Sequence, residues 1–340
     1  MTKEQLIQII QDIIPDANAH AEGWQSVLNQ CKGDASIFHL FNTTQYFAAY
    51  FSENNAFNLS LVLYNKKLPV GIMPLMVHQD DDLNWVISSN GIEVVEPIFI
   101  STLARKVKKK LESQISEAIY TLSSNLGVSQ CQFVNMRNDQ LTSWYLMWLE
   151  KAHEAFSSYH LLVDLSLPLE VIRLKFRKSY KPLVNKGNKH WKIEVHEQVT
   201  DELFEKFKSL HEFVAGRKTR TNLSWSIQKK QINSSESFLI TASDDSKDLV
   251  GAGLFTFSHF HGLYCVGVHK RELFDKPIGH PIQLKAIETL KKKSVTWYEI
   301  GQKHLNIDRT NPTEKELSIS HFKEGFCTHV IARQHLTINL

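Results

Sequence analysis

Toward its C-terminal end the chain reads Lys315-Glu316-Leu317-Ser318-Ile319-Ser320-His321-Phe322-Lys323-Glu324-Gly325-Phe326-Cys327. Phe322 and Phe326 stand one helical turn apart and bracket a cation and a glycine. A lysine held between bulky apolar groups in a partly dry site is suited to stabilising a developing oxyanion. The same pattern also serves a surface lysine that lays its methylenes on apolar neighbours and keeps its ammonium in water. The stretches upstream decide which context this run belongs to.

Working backwards, 295–300 reads as a strand containing Trp297-Tyr298-Glu299-Ile300. A helix over 281–293 precedes it, and its terminal Lys291-Lys292-Lys293 suits the negative end of the helix dipole. Strands are expected at 238–242, 249–257 and 263–268, with Gly251 and Gly253 marking close backbone packing. Leu203, Phe207, Leu210 and Val214 give a helical stripe capped by Thr200.

In the first half, Leu6, Ile10, Ile13 and Ile14 make an amphipathic helix ending near Pro15. Phe47, Tyr50 and Phe51 share a helical face, 59–64 alternates as a strand, and Asn65-Lys66-Lys67 is a turn. A strand over 69–77 contains Pro74, which demands an edge or a bulge. A basic helix over 103–122 follows, then a strand at 131–136 and a helix at 141–152. Helices and strands alternate throughout, which gives an α/β class with mixed sheets. At 340 residues two domains are expected, 1–160 and 161–340, the second opening with Leu161-Leu162-Val163-Asp164-Leu165.

Composition narrows the class further. Lys and Arg number 39 against 36 Asp and Glu, a net +3, so an anionic partner is allowed but not demanded. Apolar residues at 42% support a packed core and exclude disorder. The longest unbroken apolar run, 144–149, is far too short to span a bilayer. The N-terminus lacks a signal-peptide pattern, and four scattered cysteines suit a reducing compartment, so a cytoplasmic protein is expected. No Gly-rich phosphate loop, G-x-S-x-G elbow or H-E-x-x-H pair occurs. His259 and His261 alternate on one strand but have no third ligand nearby, so no metal site is expected. Cys327 with His329 suggests a thiol nucleophile, but they alternate on a strand with no orienting acid in view.

Two basic stretches stand out. Residues 173–192 carry eight Lys or Arg and no acid, with Tyr180, His190 and Trp191 interleaved. That fits phosphate or nucleic-acid contact as well as it fits two solvated helices broken at Pro182. Arg217, Lys218 and Arg220 follow Gly216, where they either grip a phosphate or carboxylate or simply close a helix. Tyr264, His280 and Glu299 fall at strand or helix ends, where proton handling is feasible.

Taken in order, Leu162-Val163-Asp164-Leu165-Ser166, Arg177-Lys178-Ser179-Tyr180-Lys181, Leu210-His211, Gly216-Arg217-Lys218-Thr219-Arg220, Trp297-Tyr298-Glu299-Ile300-Gly301 and Ile319 to Phe326 resemble the FemAB-like branch of the GNAT acyltransferase superfamily. Phe41 to Tyr46 and Leu68 to Leu75 look like that family's opening helix and strand. The likeness covers about residues 36 to 335, and Cys327 departs from the Gly usual after the final Phe. It implies a bacterial protein with two tandem GNAT-like domains facing a shared cleft. It further implies transfer of an acyl or aminoacyl group to an amine of a cell-envelope precursor, such as a muropeptide or a surface-glycan amino sugar. Carried over by position, Lys323 and Phe322 stand at the reaction centre, with His280 and Glu299 beside them as further catalytic candidates. Arg177, Lys178, Tyr180, Lys181, Arg217 and Arg220 would line the path of a phosphate-bearing substrate, with Tyr264 a further substrate contact.

The expected donor is aminoacyl-tRNA as a co-substrate, with no bound cofactor and no DNA partner. The family's long helical arm for tRNA has no counterpart here, as in its shorter members. Peripheral contact with the inner membrane surface is compatible with such a substrate. The alternatives are an acyl-CoA-dependent N-acyltransferase acting on an amino sugar and a non-catalytic module that only holds a precursor. Against acyl-CoA, the connection 270–280 has one Gly and a Pro where GNAT enzymes place a Gly-rich pyrophosphate loop.

Overall fold

Apolar stripes and alternations become helices and strands across the residues that the computed structural model describes, 1–17, 20–31, 33–273 and 275–340. They group into two units, Met1–Ser157 with Arg333–Leu340, and Ser158–Ala332. The expected boundary at 160 lies three residues from this division, and the last eight residues return to the first unit. The reason is backbone pairing: the end of the strand His329–Asn339 joins the strand Gln130–Val134, from His335↔Val134 to Asn339↔Gln130.

In the first unit, the helices Lys3–Ile13 and Arg105–Leu126 bury Leu6, Ile10, Ile115, Ile119 and Leu122 in one core with Val77, Phe133 and Trp148. Each such aliphatic side chain contributes about 1.5–3 kcal/mol by leaving water. The expected strand over 69–77 is two strands. Leu68–Met73 pairs with Leu61–Asn65 and Ile98–Phe99, while Met76–Gln79 pairs with Phe57–Asn58 and Trp85–Ser88. Pro74 has no N–H for a ladder, and the chain changes sheets there. The turn before it is a two-residue hairpin in which Lys66 and Lys67 both take positive φ, 50° and 68°.

The second unit has a mixed sheet in the order Lys192–His196, Ser237–Ser243, Leu249–Phe257, His261–His269, Trp297–Lys303, Glu154–Asp164. All steps are antiparallel except the one between His261–His269 and Trp297–Lys303, which are linked by the crossover helix Gly279–Lys292. On one face that helix and the helix Tyr180–His190 pack with Phe238, Ile240, Phe255 and Tyr298. On the other, the helices Asp201–Ala215 and Asn222–Asn233 bring Phe207 and Trp225 against Leu239, Ala252 and Leu254. The parallel ladder holds only three residue pairs, His261↔Trp297, Gly262↔Tyr298 and Leu263↔Glu299. Beyond them both strands run on, to His269 and Lys303, as the walls of a gap.

Several local expectations change. The basic stretch does make two helices, Leu169–Lys175 and Tyr180–His190, but the break falls at 176–179. Pro182 sits in the first turn of the second helix, where its missing N–H costs nothing. His259 lies in the turn before its strand and Cys327 in the turn before the next, so neither alternation pair exists. Among the described residues no group of three or more His, Cys, Asp or Glu side chains could hold a metal ion. None of the described helices is long and apolar enough to cross a membrane.

Candidate active site around Lys323

Thr313 opens the helix Glu314–Glu324 with a reciprocal capping box, its backbone N–H donating to Glu316 Oε2 at 2.7 Å. Glu314 and Glu316 in the first turn favour the positive end of the helix dipole. The helix ends at Gly325, and Phe326 drops into the core at 5.2 Å from the Phe176 ring and 4.7 Å from Tyr180. That anchoring fixes the last turn, and with it Phe322 and Lys323.

Lys323 reaches into the strand gap. Its Nζ lies 5.8 Å from the Tyr264 ring centroid on one wall. On the other wall it stands where Gly301 has no side chain, since a Cβ there would come within 2.4 Å of Nζ. Gly301 has φ of 151°, beyond a register irregularity that separates it from Glu299. Burial pulls the Lys323 pKa below the usual lysine range, and the nearby Glu299 carboxylate opposes that shift. Tyr264 stacks on Phe255 at 5.1 Å, and burial pushes its phenol well above the ordinary value, so it remains a neutral hydroxyl.

Glu299 is buried and doubly held. His160 Nδ1 lies 2.7 Å from Oε1, and His261 Nε2 lies 3.0 Å from Oε2. Around Phe322, the residue before Lys323, His280 meets the Tyr180 ring edge-on at 4.6 Å and Phe322 at 5.2 Å. Burial pushes His280 down to about 4, so the imidazole is neutral at pH 7, and its buried Nε2 has no hydrogen-bond partner among the described residues. Tyr180 donates its hydroxyl to the Phe322 carbonyl at 3.0 Å, and Arg177 donates to the His321 carbonyl at 3.0 Å and to Tyr180 Oη at 3.2 Å.

Seven of the eleven residues singled out in the sequence therefore surround one helix end: Lys323, Phe322, His280, Glu299, Tyr180, Arg177 and Tyr264. The others stand elsewhere. Lys178 and Arg217 are exposed and Lys181 is half-buried. Arg220 donates to Thr219 Oγ1 at 3.0 Å and lies over Trp225 at 5.0 Å, in the core on the other face of the sheet. Gly216 ends its helix with φ of 70°, which is the helix-closing reading of that stretch.

Sequence reasoning missed His160, His261, His321 and Gly301. His261 was visible only as half of a His pair, and nothing local links His160 to Glu299 across a sheet. The Cys327 thiol, weighed as a nucleophile, is pushed up to about 11 by burial, which makes it inert at neutral pH.

Two further features shape what can bind. Beside the site lies an open hollow of about 470 Å³ whose lining includes Lys303, His304, Asn306, Glu314, Ser320 and His321. In contrast, the start of the helix Gly279–Lys292 is closed over. A Cβ on Gly187 would approach the Pro277 carbonyl at 2.5 Å, and one on Gly279 would approach Phe322 Cζ at 3.0 Å. Pro281 in that first turn offers no N–H.

No protein-family profile matches this sequence, and no curated protein matches it. Solved structures do match in fold. FemX superposes with a TM-score of 0.65 at 10% identity, covering 100% of this chain and 96% of FemX. The C-terminal domain (DUF2156) assigned to a lysylphosphatidylglycerol synthetase of Agrobacterium fabrum gives 0.58 at 10% identity, covering 99% of this chain and 92% of that one. L-PGS from Bacillus licheniformis gives 0.56 at 11% identity, covering 87% and 91%. With its three-rung parallel ladder, its crossover helix and this superposition over the whole chain, the protein shares the two-unit α/β fold of FemX.

Proposed function

We propose that the chain is an amide-forming acyltransferase that moves an aminoacyl group from aminoacyl-tRNA to an amine of a cell-envelope precursor. The observation that carries the proposal is the Lys323 ammonium, half-buried in the strand gap between Tyr264 and Gly301 with a carboxylate behind it. In the reaction the acceptor amine attacks the ester carbonyl of the donor. The new C–N bond forms, negative charge collects on the carbonyl oxygen, and the C–O bond then breaks. The amine's proton leaves with the ribose hydroxyl. Lys323 stabilises the oxyanion, a contribution of about 3 kcal/mol for one well-placed donor. His280 is neutral and too weakly basic to hold a proton at pH 7, so its Nε2 orients the amine by hydrogen bonding. Arg177 and Lys303, beside the hollow, supply cations for the substrate's phosphates.

The donor choice rests on the crossover helix. GNAT enzymes that use acyl-CoA seat its pyrophosphate on free N–H groups at that helix start. Here Phe322, Pro277, Pro281 and the close approach of Gly187 occupy the ground. The fold shared with FemX and with the lysylphosphatidylglycerol synthetase domain supports an envelope substrate.

The test is a thermal-shift titration with charged tRNA and, in parallel, acetyl-CoA, followed by transfer assays with wild type and Lys323→Ala. Binding at a hundredfold excess over Kd stabilises by about 2.7 kcal/mol. A shift with acetyl-CoA alone overturns the donor, and full turnover by Lys323→Ala overturns the role of the lysine.

A further inference from the structure

Behind Lys323 lies a chain of hydrogen bonds that the reaction as drawn does not use. Ser158 Oγ is 2.8 Å from His160 Nε2, His160 Nδ1 is 2.7 Å from Glu299 Oε1, and Glu299 Oε2 is 3.0 Å from His261 Nε2. In this arrangement an ionised carboxylate accepts an N–H from each imidazole, and the remaining His160 nitrogen faces the Ser158 hydroxyl. The side chains of His261 and Glu299 are only 3% and 7% exposed, and that of His160 12%. A carboxylate so buried needs such donors, and two of them from different strands leave it one rotamer.

We propose that His160 and His261 are positioning residues that fix Glu299 as the counter-charge of Lys323, holding the ammonium charged and aimed into the strand gap before substrate arrives. The proposal rests on the reading of Lys323 given above. Without a counter-charge, burial favours the neutral amine, which cannot stabilise an oxyanion. The other groups facing Glu299 do not replace this pairing. On the strand of His261, the Cys265 thiol is pushed up by burial and stays neutral. On the helix of Lys323, Glu324 is paired with Lys303 at 2.6 Å. The register irregularity between Glu299 and Gly301 lets both residues serve the lysine, one by charge and one by leaving space.

The test needs no substrate. The full chain is labelled with [13Cε]lysine, the Lys323 resonance is identified by its loss in Lys323→Arg, and its titration is followed by NMR. Removing a neighbouring opposite charge lowers a lysine pKa by about 1–3 units, so Glu299→Gln shifts the Lys323 midpoint down by that amount. His261→Gln and His160→Gln, which keep the carboxylate but unpin it, give smaller shifts in the same direction. An unchanged midpoint in folded Glu299→Gln overturns the proposal. Should that variant fail to fold, the wild-type curve decides: the Lys323 resonance must move again as acid protonates Glu299, and a single inflection overturns the coupling. Turnover is not part of the readout, so failure of the transferase reading shows separately, in the Lys323→Ala assay.

Discussion

Gly301→Ala is the sharpest perturbation of the site, because the added methyl group enters the space that Lys323 Nζ occupies. The Cβ would lie 2.4 Å from Nζ and 3.1 Å from Cδ. Ordinary contact is about 3.5 Å, so the ammonium has to withdraw by about 1 Å. A displacement of that size at a reacting centre lowers turnover by about a hundredfold. The backbone adds its own cost, since φ of 151° is a conformation that only glycine adopts freely, worth about 1–3 kcal/mol of stability. Gly127→Ala separates the two effects. Gly127 has φ of 69° and open space around its Cβ, so it brings backbone strain without touching the lysine. Single-turnover transfer of a radiolabelled amino acid from charged tRNA to an amine-bearing envelope precursor, read beside thermal melts, is the assay. Both variants should melt a few degrees low, and only Gly301→Ala should lose transfer. A Gly301→Ala protein with wild-type turnover would refute the placement of the Lys323 ammonium.

Other perturbations test the frame around the site. A Cβ at Gly325 would come within 2.1 Å of Tyr180 Cε2, a ring packed against His280, Phe322 and Phe326. Gly325→Ala should therefore cost about 1–3 kcal/mol by overpacking, and unchanged denaturant stability would contradict it. Tyr298 is buried and donates its hydroxyl to Gln283 Oε1 at 2.6 Å, so Tyr298→Phe leaves a buried acceptor without that donor and should cost about 1–3 kcal/mol in chemical denaturation. Burial pushes His269 and His280 down to about 4 from 6.5. Below pH 6.5 the unfolded chain binds protons that the folded state refuses, so their contribution is intact above 6.5 and declines as the pH falls toward 4. Melting temperature followed from pH 7 to 4.5 should fall less steeply in His280→Gln than in wild type, and equal slopes would sink that account.

The sequence foretold the elements whose signal is local. The helix Arg105–Leu126 follows from Val107, Leu111, Ile115 and Ile119 at spacings of four, and it runs on to the helix-ending Gly127. The strands of the second unit follow from apolar alternation, and the cap at Thr200 from its side chain. Where one residue serves two roles the local reading slipped. Pro74 separates two strands in different sheets instead of bulging one, and Pro182 begins a helix instead of breaking it. In both places the missing N–H matters only in relation to a pairing partner that the local sequence does not name.

The site divides in the same way. Lys323, Phe322, Tyr180 and Arg177 were legible because their runs carry a cation among aromatics, a pattern that lies within a few residues. Arg217 and Arg220 share that kind of pattern, yet the fold leaves one exposed and sets the other over Trp225 beyond the sheet. His160, His261 and Gly301 carry no local signal that joins them to the lysine. They meet Glu299 and Lys323 only because one parallel ladder stops after three rungs and a third strand brings an imidazole beside it. Periodicity and capping are set by neighbours in the chain, so the sequence by itself determined the elements and their class. Which side chain stands behind a buried lysine is set by sheet register over more than a hundred residues of separation, and only the tertiary structure decided that.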